Sequence, residues 1–297
     1  MTPAEQGFLL LTSQLGDPER KPLTIAQFRD LAKRARTMEK PLDSRELSQR
    51  DLVSIGCNCE LAKKVILLLS QTEQLNWYVE KGKRSGCVPV TRNSDRYPHR
   101  LRRSLAFDAP GVLWLKGDPN LLERPCISLV GSRELRMENR GFAAEVGKQA
   151  ALQGFVLVSG HARGADRTAQ ESCLAHGGNV ISVVCDELER HVAHNGVLYL
   201  SEDGFDMPFS AQRALQRNRV IHSLGEKTFV AQSAYGRGGT WDGTQKNLRY
   251  GWSPVFCFDD GSQAFCELQQ MGAVLIGAGM LTSIVDLRSP EIDFLEP

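Results

Sequence analysis

Three glycine-bearing stretches of this chain carry the residue types that bind phosphate. Gly131-Ser132-Arg133 places a turn glycine and a hydroxyl before an arginine. Glycine lets the backbone come close to a ligand, and a guanidinium offers a planar fork of donors to phosphate oxygens. Ser159-Gly160-His161-Ala162-Arg163-Gly164-Ala165-Asp166 sets two glycines among small residues ahead of a helical pattern. That composition suits a nest of backbone N–H groups aimed at an anion. Asp166 is placed to cap the helix or to meet a sugar hydroxyl, and His161 reads as a turn or surface histidine. Gly236-Arg237-Gly238-Gly239-Thr240 repeats the pattern before a helix through Asp242, Thr244 and Asn247. A further helix carries Arg213, Arg217, Asn218 and Arg219, and Arg213 and Arg217, four apart, share a face. The candidate phosphate contacts are therefore Gly131, Ser132, Arg133, Ser159, Gly160, Arg163, Gly164, Asp166, Arg217, Asn218, Arg219, Gly238, Gly239 and Thr240. Asn195, ending a polar stretch with Arg190, His191 and His194, joins them. No residue is assigned as catalytic, and no metal set or cofactor is expected.

Those loops need strands and helices to hold them. Short apolar runs recur at 127–130, 155–158, 180–184, 228–231 and 255–258, with 273–276 as one more, and helical stretches lie between most of them. Continuous apolar strands alternating with helices predict a parallel sheet covered on both faces. The expected class is α/β, an extended Rossmann-like, doubly wound, mostly parallel sheet. The loops then fall at the carboxyl ends of strands, where such sheets bind ligands. Gly131-Ser132-Arg133 is not G-x-G-x-x-G, and no acid follows the second strand, so a conventional NAD site is not expected.

Ahead of the sheet the spacing predicts a small all-α domain over residues 1–85. Thr24 and Gln27 form a capping box before Ile25, Phe28, Leu31 and Ala32. Asp43 or Ser44 is placed to cap the next helix. A helix over 60–70 follows Ser54-Ile55-Gly56-Cys57-Asn58, which reads as a worn helix-hairpin-helix with Asn58 in the left-handed region in place of a second glycine. The expected order is this domain over 1–85, a connecting segment over 86–124, the Rossmann-like domain over 125–280 and a tail over 281–297.

Composition bounds the rest. The 297 residues are 41% hydrophobic and 24% charged, which excludes a disordered, collagenous or coiled-coil chain. The longest apolar run, Val65-Ile66-Leu67-Leu68-Leu69, is far below the roughly 20 residues of a membrane span. The N-terminus lacks the basic cluster of a signal peptide, so a cytoplasmic location is expected. The eight cysteines include no C-x-x-C pair and read as reduced thiols, with Cys57-x-Cys59 as the alternative redox or metal pair. Residues 1–103 carry 19 Lys and Arg against 12 Asp and Glu, a basic third that suits an anionic partner or an ordinary solvated surface.

These residues, in this order, resemble the DNA-processing protein A family, also called Smf or DprA, over about 97–273. Tyr97-Pro98, Asp108-Ala109-Pro110 and Val130-Gly131-Ser132-Arg133 are similar to its motifs. The stretch from Ser159 to Asp166 resembles its Ser-Gly-x-Ala-x-Gly-x-Asp signature, the most specific of them. Gly177-Gly178, Ser201-Glu202 and Arg217-Asn218-Arg219-Val220-Ile221 match in place. The resemblance implies a non-catalytic protein that binds and protects single-stranded DNA and helps load a RecA-type recombinase on incoming DNA in transformation. It implies a homodimer formed through the Rossmann-like domain. It also implies that Arg133 contacts the DNA backbone, that the loop at 159–164 cradles a phosphate, and that Arg217 and Arg219 line the same positive pocket. The departures surround that pocket. His191-Val192-Ala193-His194-Asn195 stands for the family's Tyr-Pro-x-x-Asn, Gln232 for a Glu, the 236–240 loop for Ser-Gly-Ser, and Asp259-Asp260-Gly261 for Pro-Gly.

Two other readings stand beside this one. A nucleotide-ligand sensor or nucleoside-monophosphate hydrolase on the same scaffold needs a placed carboxylate, for which Glu202 is the candidate. A partner-binding protein with a vestigial pocket is the other. With 7% aromatics, stacking on bases has few candidates; Trp114 reads as core and Trp241, beside the glycine-rich loop, as the best of them.

Overall fold

The computed structural model describes residues 1–38, 47–202 and 204–289. The chain divides into two units. The first joins Met1–Tyr97 with Pro110–Trp114 and Glu202–Met207; the second joins Pro98–Ala109, Leu115–Ser201 and Pro208–Pro297.

The first unit is led by five helices, α1 (Pro3–Thr12), α2 (Ile25–Ala35), α3 (Gln49–Ser54), α4 (Cys59–Ser70) and α5 (Thr72–Arg84), with the strand β1 (Val88–Thr91) after them. The Thr24–Gln27 capping box starts α2 as its spacing predicts. Ser48 and Asp51 make a second box at α3; Asp43 and Ser44 lie outside the described residues. At the hairpin, Gly56 takes the left-handed conformation, with φ +85°. Asn58 does not. Its φ is −70°, and its side-chain oxygen accepts the N–H of Leu61 at 2.8 Å as the N-cap of α4. Asparagine here satisfies an orphan helix donor, the stronger of its two preferences. Leu31, Leu52, Ala62 and Val65 are wholly buried in the helical core. Burial of each such Leu or Val stabilises by about 2 kcal/mol. A second core joins Trp114, Tyr78 and Phe205, with ring centroids 4.7 to 5.3 Å apart, and Trp114 is buried as its sequence context predicts.

Next along the chain come α6 (His99–Leu105), which belongs to the second unit, and β2 (Val112–Lys116). The second unit then alternates β3 (Cys126–Val130), α7 (Met137–Leu152), β4 (Val156–Ser159), α8 (Ala165–Ala175), β5 (Asn179–Val183), β6 (Val197–Ser201), α9 (Ala211–Leu224), β7 (Thr228–Val230), α10 (Gly238–Tyr250), β8 (Val255–Phe258), α11 (Gln263–Gln270) and β9 (Val274–Ile276). Seven parallel strands lie in the order β6-β5-β4-β3-β7-β8-β9. The α/β class follows from what the strands bury. Ile127, Leu129, Val156, Leu157, Phe229 and Phe256 are fully buried, the pattern of a sheet with helices on both faces.

Sequence reading found six of these seven strands within a residue or so. It missed β6, which ends at Ser201. The reason is the connection. β5 and β6 are joined by a single 3-10 turn at Leu188–Arg190, with no α-helix between them, so the expected alternation skips a strand. The topology has one switch point. From β3 the chain moves outward through β4 to β6, then returns by α9 to β7 on the other side of β3. The carboxyl ends of β3 and β7 therefore open a crevice between diverging loops.

Candidate anion-binding cleft

A cleft of about 600 Å³ occupies the switch point. Its wall gathers four segments far apart in sequence: Gly131, Ser132 and Arg133 after β3; Ala162 and Asp166 around the start of α8; Arg217 and Asn218 on α9; Gly238, Gly239 and Thr240 opening α10. A smaller cavity of about 210 Å³ shares Arg133, Ala162 and Arg217 and adds Gly160 and Arg163. Neither α8 nor α10 has a side-chain cap. At α8 the N–H groups of Ala165 and Arg167 are taken by the carbonyls of Ser132 and Ala162, so the helix start that favours an anion through its first N–H groups and dipole is that of α10.

Local geometry explains the loop composition. Gly164 has φ +83°, and a Cβ there would fall on the carbonyls of Ser132 and Arg133. Ala165 donates its N–H to Ser132 O at 3.1 Å, joining the two loops. At Gly160 a Cβ would lie 2.5 Å from the guanidinium of Arg217. That guanidinium donates to the carbonyl oxygens of Gly160 and Val183 and is 7% exposed. Ser159 is buried at the end of β4, its hydroxyl accepting from Gln170. Both residues shape the cleft from behind. Arg213, likewise, donates to Cys185 O at 2.8 Å and Pro208 O at 2.7 Å.

Two predicted residues stand elsewhere. The guanidinium of Arg219 is turned to Asp108 O at 3.2 Å and Gln216 O at 2.6 Å, and it does not line the cleft. Asn195 lies before the amino end of β6, in a separate cavity of about 570 Å³ with His161 and Tyr199. Helical spacing places Arg217 and Arg219 on different faces, and β6, unseen in the sequence, sets Asn195 at the wrong end of its strand. His161 is a turn histidine with φ +61°; its ring meets His191 and Tyr199 at centroid distances of 5.4 and 5.7 Å.

The charges of the cleft are unequal in accessibility. Arg133, Arg163 and Arg237 are exposed, while Asp166 is buried, one carboxylate oxygen accepting the N–H of Ala162 at 3.2 Å. Burial pushes the Asp166 carboxyl up to about 6, against the opposing pull of Arg217, the Ala162 and Gly160 N–H groups and Arg133. The exposed arginines thus give the larger cleft a cationic surface with Asp166 buried in its wall, while the smaller cavity also holds the Asp186 carboxylate, paired with His191 Nε2 at 2.8 Å.

Gln232, at the position noted as altered, joins loops: its Oε1 accepts Arg136 N–H at 2.9 Å and its Nε2 donates to Glu134 O at 3.1 Å. Glu202 belongs to the first unit and does not line the cleft. Trp241 is 8% exposed, packed edge-on against Tyr235, so it presents no face for stacking. The aromatic that does is Phe209, 55% exposed and lining both cavities. Sequence reading missed it, together with Arg237 as a cleft residue and His222. An unpaired apolar ring eight residues before Arg217 was the available signal. Among the described residues no group of three His, Cys, Asp or Glu is placed to hold a metal, and no helix is long and apolar enough to cross a membrane.

Residues 89–283 match the family model described as DNA recombination-mediator protein A. DNA processing protein DprA of Streptococcus pneumoniae (strain ATCC BAA-255 / R6) is 30% identical over 200 residues, covering 62% of this chain and 69% of that protein. The crystal structure of DNA processing protein A from Streptococcus pneumoniae superposes with a TM-score of 0.71 at 25% identity, covering 97% of this chain and 99% of that one. A DNA processing protein A from Helicobacter pylori, solved for its single-stranded DNA binding mode, shares the fold with a TM-score of 0.56 at 22% identity over 67% of this chain and 95% of that one.

Proposed function

We propose that this chain, which belongs to the DNA recombination-mediator protein A family, binds the backbone of single-stranded DNA in the switch-point cleft. The observation that carries the reading is the placement of exposed Arg133 and Arg237 beside the uncapped start of α10 in the cleft, with exposed Arg163 in the smaller cavity that shares Arg133. Such a surface holds phosphates by charge and N–H donors without reading sequence. Phe209 beside the arginines adds a ring on which a base can stack, the second ingredient of strand binding without sequence preference.

The groups weighed for hydrolysis are not presented to the cleft. Gln232 has both ends of its amide engaged, and Glu202 is elsewhere. Asp166 is held by backbone within the wall, not at its surface. The wider role in this reading is that of a mediator that protects single strands and passes them to a RecA-type recombinase, acting as a homodimer. The family description and the similarity to DNA processing proteins support it.

Crosslinking tests the reading at the residue level. A 5-bromodeoxyuridine oligonucleotide is irradiated with the intact protein, and the adducts are mapped by mass spectrometry. Adducts on the peptide containing Phe209 are expected. Adducts confined to segments that do not line the cleft contradict the reading.

A further inference from the structure

Strand binding at the switch point leaves a second opening without a task. A cavity of about 570 Å³ lies between α8 and residues 194–199, within the range of roughly 300–1,000 Å³ that small ligands fill. Its origin is the connection from β5 to β6. A crossover helix would lie over β6 beside α8; the chain makes a single 3-10 turn instead, and the strip between them stays open.

The wall of this cavity holds a polar group that nothing in the chain satisfies. Tyr199 on β6 lines the cavity and is 5% exposed. Its hydroxyl makes no hydrogen bond among the described residues. Burial raises its pKa, with no hydrogen bond offsetting the rise. Buried polar groups are paired almost without exception, so this phenol is a donor and acceptor kept for something that enters the cavity.

The groups around it are held in place. The rings of His161 and His191 lie 5.7 and 4.8 Å from that of Tyr199, centroid to centroid. His161 keeps φ +61°, a left-handed backbone that costs a residue with a side chain roughly 1 kcal/mol. Gln170, 6% exposed, meets His161 Nδ1 at 3.0 Å through its Oε1. At the rim, Arg167 and Glu171 are exposed, four apart on one face of α8, and both line the cavity. A cation for phosphate, a carboxylate and phenol for polar edges, and ring walls thus share one opening.

One residue joins this opening to the path of the strand. His161 also lines the smaller cavity that holds Arg133 and Arg163. A strand whose phosphates meet Arg163 has the opening beyond His161 as its continuation.

We propose that this opening is a nucleotide subsite, in which Arg167 holds a phosphate while the Tyr199 hydroxyl and the Glu171 carboxylate meet the polar edge of one base. It rests on the single-strand reading above and deepens it. A nucleotide of the bound strand and a free nucleoside monophosphate present the same groups, and the test separates the two sources.

The test reads protection of Arg167 from phenylglyoxal by mass spectrometry, against increasing dC12 or dCMP. Cytosine carries an amino donor for the carboxylate. Anisotropy of labelled dC12 is followed in parallel, and both measurements are made on wild type and Tyr199→Phe. Phenylalanine keeps the ring and removes a hydroxyl that bonds nothing in the chain, so the variant keeps the wild-type thermal midpoint. Protection by dC12 alone identifies a strand nucleotide as the occupant; protection by dCMP identifies a free one. In either case the concentration for half protection is expected to rise about fivefold in Tyr199→Phe, the effect of one hydrogen bond. Binding of dC12 with Arg167 unprotected by either ligand, or a folded Tyr199→Phe protected at the wild-type concentration, overturns the subsite and leaves strand binding intact. Wild type that fails to bind dC12 at low salt sinks the strand reading itself, and protection by dCMP then decides the subsite alone.

Discussion

Arg217 donates to the carbonyl oxygen of Gly160, so the most nearly buried guanidinium of the cleft holds the glycine-rich loop instead of facing solvent. It also reaches Val183 O, tying the carboxyl ends of β4 and β5 through one side chain. The arrangement separates two roles that look alike in the sequence, an arginine that builds the cleft and an arginine that meets the ligand.

Arg217→Ala is accordingly expected to unfold more easily. It strands two buried carbonyls and removes the charge that partly balances Asp166, a cost of about 3 kcal/mol. The thermal midpoint should fall by roughly 5 °C in calorimetry. Arg133→Ala, at an exposed position, should change stability by less than about 0.5 kcal/mol. Equal midpoints for the two variants would show that Arg217 does not brace the loop.

Gly164→Ala tests the junction of the loops. A left-handed alanine costs roughly 1 kcal/mol or more, and its methyl group also meets the carbonyls of Ser132 and Arg133. The variant should lose DNA affinity through displacement of Arg133, with added protease cleavage near the loop. Wild-type affinity in Gly164→Ala contradicts the close joining of the two loops.

Asp166 gives stability a pH dependence of defined sign. Its folded pKa of about 6 lies above the unfolded value of roughly 3.9. The folded state thus binds more protons between those values, and stability falls as pH rises through about 4 to 6. Asp166→Asn keeps an acceptor for the Ala162 N–H and removes the titration. Its advantage over wild type should be small near pH 4 and reach about 3 kcal/mol by pH 7, read from urea midpoints. A constant difference across that range refutes the assignment.

His222 acts in the opposite sense. Its folded pKa, near 3, lies below an unfolded value of roughly 6.5. The unfolded state takes up the extra proton, so stability drops as pH falls below about 6.5. At pH 5 the loss is about 2 kcal/mol. His222→Phe should lack this component, and urea titrations of the two proteins at pH 7 and pH 5 measure it.

Much of this fold is legible in the sequence because apolar strands of a covered sheet announce themselves. The runs ending at Val130 and at Ser159 are continuous, and each is followed by glycine and a helical pattern. What escaped reading depends on distant partners. Val197–Ser201 is an apolar run hidden by a connection without a helix. Arg217 reads as a phosphate contact because its acceptors, Gly160 and Val183, lie 57 and 34 residues away. Trp241 reads as a stacking platform until Tyr235 is seen against it. Nothing near His222 in sequence marks its ring, whose Nδ1 meets Asn247 25 residues on. Motifs thus mark where the loops converge, while burial and hydrogen bonding decide which side chains face the ligand.

The central claim is best tested by anisotropy of a labelled single-stranded oligonucleotide over a salt series, for wild type, Arg133→Ala and Arg237→Ala. The cleft reading predicts affinity that falls steeply with salt, and a log–log slope that shrinks by about 0.7 for each arginine removed. Folded wild-type protein that fails to bind at low salt, or variants with the wild-type affinity and slope, would contradict it.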